Sequence, residues 1–434
     1  MTLISVHRKK LTLRKDLGLF SATAAGVGII VGAGVYVLIG SAAGLAGNSV
    51  WLSFLISSLV ALFTGLSYAE LSSMYQDDAS EFLYTEKAFG KFLGFLVAYF
   101  VILSGIIAAA AVSLGFAGYF SKLFHTGNSY TLLIIAALAI ILFSYINYRS
   151  IKESARLNII FTGLELLGLL LIIIAAYNYY GTVNYFDFSN GFSGIFNAAA
   201  LIFFAFIGFE SIVKLSEETE HAKKIIPKAL VLSILITTII YVLVGVAAIS
   251  VVPWDQLATS KAPLADVAQA LLGQKAFVLL SIIALFSTGN TILFSLITTS
   301  RIMYGTAKRF SKLAFLRAVS KTTATPIYAI LITGILALLF ILLKNINFVA
   351  EITNFAIFIT FILVNLSLIV LRYKLPNKKR IVRVPGTIGT LPILPAIGIL
   401  TSVGMLISLD WRVLLGGVVL TMIGILLYWL LARK

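Results

Sequence analysis

Glu165 and Glu210 carry the most pointed chemistry in this 434-residue chain. Each lies well within an apolar run, where an acidic side chain costs about 2.5–3.5 kcal/mol and usually marks an ion or substrate pathway. A protonated carboxyl group there donates to a backbone carbonyl and releases it on ionising, which is a workable proton switch. The competing reading of Glu210 is that it only hydrogen-bonds backbone freed nearby. Other acids sit in loops or at run ends. Glu70 closes the second run, Glu351 opens the tenth and Asp16 precedes the first, and all three read as solvated or interfacial. Glu217, Glu218 and Glu220 follow the sixth run, where the helix dipole disfavours negative charge, so basic loop partners are expected for them.

Glycine marks two of the runs. The first contains Gly26-Val-Gly28-Ile-Ile-Val-Gly32-Ala-Gly34, four glycines within nine residues. Taken alone, Gly28 and Gly32 equally suit close helix packing at small-xxx-small spacing. The sixth run reads Phe203-Phe204-Ala205-Phe206-Ile207-Gly208-Phe209-Glu210, again with a mid-run glycine. Runs one and six are five apart, as a five-plus-five repeat requires, and an odd-numbered repeat inverts topology between its halves. Paired interruptions in matching halves point to a substrate site. Unwound backbone at mid-membrane survives only where protein or a wet cavity satisfies it. Freed N–H groups suit a carboxylate and freed carbonyls suit an ammonium. A site holding both is complementary to a zwitterion, and a free α-amino acid is its natural ligand.

The elements that must position these residues follow from composition. The chain is 60% hydrophobic and 12% charged, with a mean hydropathy of +1.04. Soluble chains are about 45–50% apolar and about 25% charged, so an all-α integral membrane protein is indicated. Its apolar residues suffice for about thirteen spans of about 20 residues. Twelve runs stand out, near 17–43, 48–73, 93–121, 130–147, 157–177, 194–213, 228–253, 276–304, 326–343, 347–371, 391–409 and 411–431.

The net charge of +16 is a topology signal rather than the mark of a nucleic-acid partner. Alternating the twelve runs puts Lys122, Lys261, Lys275, Lys344 and Arg412 on one side and the other 28 basic residues opposite them. The positive-inside rule then makes both termini cytoplasmic. Tyr177, Tyr179, Tyr180, Trp254 and Trp411 suit the outer headgroup level. The chain has no cysteine, and its three histidines (His7, His125, His221) fall outside the long runs, so no metal site or cofactor is expected. A channel would need a continuous polar lining, and an intramembrane enzyme a nucleophile–base or metal constellation; neither pattern is found.

Four ordered motifs carry a resemblance over residues 11 to 431. They are Gly26-Val-Gly-Ile-Ile-Val-Gly-Ala-Gly-Val-Tyr36, Tyr68-Ala-Glu70-Leu, Ile146-Asn-Tyr-Arg-Ser-Ile-Lys-Glu-Ser-Ala-Arg-Leu-Asn158, and Phe203 to Ser211 followed by Glu217-Glu218 and Ile226-Pro227. With them the chain resembles the amino acid–polyamine–organocation superfamily, in its prokaryotic amino acid permease branch. The resemblance implies a leucine-transporter-type fold in which residues 14–177 and 194–371 are inverted repeats, with helices 1 and 6 unwound at mid-membrane and peripheral helices at 391–431. It implies alternating access in the plasma membrane. The N–H groups of Ala33 and Gly34, beside Gly32, would receive the substrate carboxylate. The carbonyls of Ile30, Phe204 and Ile207, beside Gly208, would receive its ammonium, with Phe204 as an aromatic lid.

Some members of the superfamily carry a lysine at the position of Glu165. Its ammonium stands in for sodium and contacts a span-one carbonyl, here Gly28, and a span-eight hydroxyl, here Ser287 or Thr288. Glutamate departs from that pattern and suits a proton or a sodium ion instead. Glu210 matches an acidic position implicated in proton coupling in some relatives. The expected function is proton-coupled symport of neutral or broad-range amino acids, with sodium coupling and amino acid/amine exchange as the alternatives.

Overall fold

Most of the helices here are apolar on every side, as helices must be when one side meets protein and the other meets lipid. The computed structural model describes residues 17–75, 80–126, 128–149, 152–188, 190–217, 219–320, 322–389 and 391–432. Some of the sequence expectations fall elsewhere. Met1–Asp16, Ser150, Ile151, Glu218, Lys321, Arg433 and Lys434, and the side chains of Lys152–Ile159, Lys214 and Glu217, lie outside the described residues.

The chain begins with α1 (Leu19–Ile30), α2 (Ala33–Ala46), α3 (Val50–Met74) and α4 (Ser80–Phe89). Next come α5 (Lys91–Phe124), α6 (Ser129–Arg149), α7 (Lys152–Ala175) and α8 (Gly191–Ile202). They are followed by α9 (Ala222–Val251), α10 (Trp254–Thr259), α11 (Pro263–Leu272) and α12 (Gln274–Ala307). The last four are α13 (Ile327–Phe340), α14 (Ile346–Lys374), α15 (Ile393–Ile407) and α16 (Trp411–Ala432). Before α15 lies a short antiparallel ribbon of β1 (Thr387–Ile388) and β2 (Leu391–Pro392), which pairs Thr387 with Pro392.

Nine helical stretches among the described residues are long and apolar enough to cross a bilayer, and four shorter apolar helices accompany them. α5 and α12 have 34 residues each. At 1.5 Å per residue that is about 50 Å, beyond the ~30 Å of a hydrocarbon core, so these two tilt or protrude. α5 is buried along most of its length between α12 and α14, whereas α6 and α16 show mostly exposed apolar side chains such as Leu138, Leu415 and Met422. A contiguous surface of large exposed apolar residues suits contact with lipid.

Three stretches depart from the runs read in the sequence. The first run divides at Val31–Gly32 and continues to Ala46. α9 begins at Ala222, so Pro227 lies in its second turn, where it forfeits one backbone bond near the end and leaves the helix running. The connection after α9 folds into α10 and α11, whose apolar faces pack on α2 and α12.

Candidate functional site

Consider first the chain break between α1 and α2. Val31 (φ −71°, ψ 104°) and Gly32 (φ −142°, ψ −158°) are extended, which leaves the last carbonyls of α1 and the first amides of α2 without helical partners. Other helices supply some of them. The Tyr241 hydroxyl of α9 reaches the Ile30 carbonyl at 3.1 Å, and the Ala33 N–H donates to Thr291 Oγ1 of α12 at 3.1 Å. A side chain at Gly34 would bring its Cβ to 2.5 Å from Ala205 Cα, so only glycine lets α2 start so close to the second break.

That second break follows α8. Phe203–Phe206 tighten into a 3-10 turn, Ile207 is extended (φ −59°, ψ 135°), and a further 3-10 segment covers Phe209–Glu217. Asn354 of α14 donates Nδ2 to the carbonyls of Ala200 (2.7 Å) and Leu201 (3.0 Å). The Phe204 carbonyl accepts the Ile207 N–H at 3.3 Å. The Gly208 N–H donates to Glu210 Oε2 at 2.9 Å, so Glu210 does satisfy freed backbone. Tyr241 ties the two breaks together, because its hydroxyl also lies 3.0 Å from the Ala205 carbonyl.

Gly208 has φ +122°, a conformation that side chains avoid, and a Cβ there would stand 2.9 Å from the Ile29 carbonyl oxygen. Such strain costs about 1–3 kcal/mol. Gly208→Ala is therefore expected to lower stability by about 1–3 kcal/mol, read by chemical unfolding in mixed micelles. Gly18→Ala, with nothing within 4 Å, should leave it unchanged, and equal unfolding midpoints for the two variants would refute the strain argument.

Between the breaks lies a cavity of about 130 Å³, lined by Ile30–Gly34, by Phe204, Ala205, Ile207 and Gly208, and by Thr291, Phe294 and Phe361 among others. A cavity of about 150 Å³ holds benzene, so the space suits one small organic molecule. Gly28 and Asn290 line it, as does Phe204, which is 6% exposed.

Glu165, on α7, stands behind this cavity. It is wholly buried, and among the described residues neither carboxyl oxygen has a well-formed hydrogen bond, although Ser287 and Asn290 approach it. Ser287 Oγ likewise makes no well-formed hydrogen bond among the described residues. The Thr288 hydroxyl is taken by the Ala284 carbonyl at 2.7 Å, which leaves Ser287 as the hydroxyl turned to Glu165. The Tyr36 hydroxyl donates to the Glu165 backbone carbonyl at 2.6 Å and so fixes that turn of α7. At Gly28 a Cβ would lie 2.6 Å from Thr162 Cγ2, so α1 is pressed on α7 one turn before Glu165.

The acids at run ends behave differently from the sequence reading in one case. Glu70 is not solvated but wholly buried. Arg372 grips it with two nitrogens, the Val384 N–H donates to Oε2 at 2.7 Å, and Arg380 Nε lies 3.1 Å from Oε1. The connector after α14 folds back over the end of α3 and excludes water from it. Glu220 holds its segment through its own backbone, donating its N–H to the Leu17 carbonyl at 3.1 Å.

Tyr241, Thr291, Asn290 and Asn354 are the polar residues at the breaks that the motifs did not single out. Their only signal was an asparagine or hydroxyl inside an apolar run, a signal shared by many packing residues.

The family described as amino acid permease matches residues 17–430. The branched-chain amino acid permease BcaP of Bacillus subtilis (strain 168) is 32% identical over all of this chain and 96% of its own length. The methylthioribose transporter of the same organism is 26% identical over 99% of this chain and 96% of its own. Cationic amino acid transporter 4 of Mus musculus is 28% identical over 84% of this chain and 60% of its own.

Proposed function

The chain belongs to the amino acid permease family, and from that membership we propose that it is a secondary active amino acid transporter working by alternating access. It is a multi-pass membrane protein. In our reading it makes twelve crossings of the plasma membrane, with both termini cytoplasmic. α1 and α2 together form the first crossing, α8 and the 3-10 segments after it the sixth. Residues 14–177 and 194–371 are then inverted repeats that rock about the breaks, and α15 and α16 are peripheral.

The observation that carries this reading is the small cavity set between two opposed sets of backbone groups. The amides of Ala33 and Gly34 open α2, where the dipole favours an anion, and there they take the substrate carboxylate. The Ala33 amide already holds an acceptor, Thr291 Oγ1, whose place a carboxylate oxygen takes. The carbonyls of Ile30, Phe204 and Ile207 take the ammonium, and Phe204 covers the ligand. Phe294, Ile302 and Ile357 give the wall an apolar side that suits a neutral side chain.

Glu165 couples transport to protons. Asn290 touches both the cavity and the environs of Glu165, so substrate and carboxyl group share a neighbour. The test is an uptake panel in proteoliposomes, using labelled neutral, cationic and acidic amino acids under imposed pH or sodium gradients. Saturable accumulation of a neutral amino acid on an inward proton gradient is the expected result. Uptake only into preloaded vesicles, with no gradient requirement, would make the protein an exchanger, and accumulation on a sodium gradient would replace the proton.

A further inference from the structure

Four lysine and arginine side chains among the described residues are buried or half-buried: Arg301, Arg372, Lys378 and Arg380. Arg372 and Arg380 meet Glu70, and Lys378 covers the Tyr75 ring at 3.6 Å. Arg301, on α12, has only neutral partners among the described residues. Of the five N–H groups of a guanidinium, one reaches Ser300 Oγ at 3.1 Å and one reaches Asn147 Oδ1 of α6 at 3.5 Å. Both partners are buried, and Asn147 Nδ2 donates to Ser300 Oγ at 3.3 Å, so the seat beneath the guanidinium is itself fixed. A cation half out of water without an anion is costly.

The seat lies at the membrane surface. Asn147 is two residues from the end of α6, and the 21 residues of that helix span about 31 Å, the thickness of one hydrocarbon core. Arg301 is thereby held at the headgroup level of the leaflet where α6 and α12 end. Its surroundings are basic. Lys308 follows two turns later on the same face of α12 and covers the Tyr304 ring at 4.5 Å, and Arg149 covers the Tyr145 ring at 5.8 Å. No acid occurs from Ser129 to Arg149 or from Ser300 to Phe340. Thr325, two residues before α13, donates Oγ1 to the Tyr148 carbonyl at 3.0 Å, which brings α13 to the same corner. On the hydrocarbon side, α6 exposes Leu138, Ile141 and Leu142, and α13 exposes Leu331 and Ile335.

We propose that this corner of α6, α12 and α13 binds an anionic phospholipid, with Arg301 as the fork on its phosphate and Arg149 and Lys308 as flanking charges. Guanidinium and phosphate match in two parallel N–H···O bonds, and Arg301 has N–H groups left for them. Three cations without an acid favour a headgroup of net negative charge over one whose own ammonium offsets the phosphate. The exposed apolar strips of α6 and α13 receive the acyl chains, a flank that a free phosphate has no use for. The site needs only the membrane setting of the chain and is independent of the substrate and coupling readings.

The experiment is native mass spectrometry of the full chain in detergent, titrated with dioleoyl-phosphatidylglycerol or dioleoyl-phosphatidylcholine, reading the dissociation constant of the first bound lipid. Wild-type protein should prefer phosphatidylglycerol by at least about fivefold, the scale of one basic residue at an anionic surface. Arg301→Gln should remove the preference, and Arg149→Gln, at an exposed position, should reduce it by a smaller factor. Lys223→Gln, an exposed lysine at the start of α9, should leave it unchanged. Phosphatidylcholine binding reports that each variant is folded, and Arg149→Gln decides the matter if Arg301→Gln does not fold. Equal binding of the two lipids by the wild type, a preference unmoved by the two arginine variants, or one lost equally in Lys223→Gln overturns the site. Displacement of the lipid by excess glycerol 3-phosphate, the headgroup linkage without chains, would make this a soluble-anion site and overturn it as well.

Discussion

Glu165→Gln is expected to abolish accumulation of substrate on a pH gradient, with internal and external concentrations settling to equality, while substrate binding stays measurable. Glutamine keeps the shape and the amide can still meet Ser287 and Asn290, but it cannot bind or release a proton at neutral pH. The wild-type carboxyl group is wholly buried, with both oxygens lacking a well-formed hydrogen bond among the described residues. An ionised carboxylate held that way is strongly penalised, so the proposed coupling role has a proton or another cation accompany it through part of the cycle. Because the group lies behind the cavity wall rather than in it, the substrate affinity should change by less than about tenfold, or 1.4 kcal/mol. Unchanged concentrative uptake by the variant in proteoliposomes would sink the coupling role. Accumulation lost together with all binding would place Glu165 in the substrate site instead.

What could be read from the chain alone was whatever is local in sequence. Four glycines between Gly26 and Gly34, and Gly208 beside Glu210, announce unusual backbone because glycine's conformational freedom acts on its own residue. Glu165 was equally legible, since a lone acid in an apolar run needs no partner to be conspicuous. The partners were not legible. Tyr241 lies 211 residues from Ile30 and 36 from Ala205, and nothing in their spacing says that one hydroxyl serves both breaks. Asn354 reaches carbonyls 153 and 154 residues away. Glu81, which lines the cavity and is 3% exposed, was hidden for the opposite reason. It sits in a polar stretch with Glu86 and Lys87, which reads as a solvated connection, and only the packing of α4 against α5 and α14 buries it.

Arg372→Met is expected to lower stability by about 3–5 kcal/mol, the usual cost of leaving one member of a buried ion pair without its partner. Glu70 is wholly buried and Arg372 nearly so, and 302 residues separate them. Arg372 also donates to Thr387 Oγ1 at 2.9 Å, and the Val384 N–H reaches Glu70, so the pair fastens the connector after α14 to the end of α3. Loss of the guanidinium leaves the carboxylate one cation, Arg380, which meets it through Nε alone because its terminal nitrogens are committed to the carbonyls of Leu371, Leu375, Pro376 and Lys378. The companion variant Glu70→Gln/Arg372→Met removes both charges, and it should recover most of the loss, because the cost lies in the orphaned carboxylate rather than in the missing attraction. Chemical unfolding in mixed micelles measures both. A single variant within about 1 kcal/mol of the wild type, the range of an exposed pair, would mean that water reaches Glu70. A double variant as unstable as the single one would mean that the arginine acts through packing and its bond to Thr387, with charge secondary.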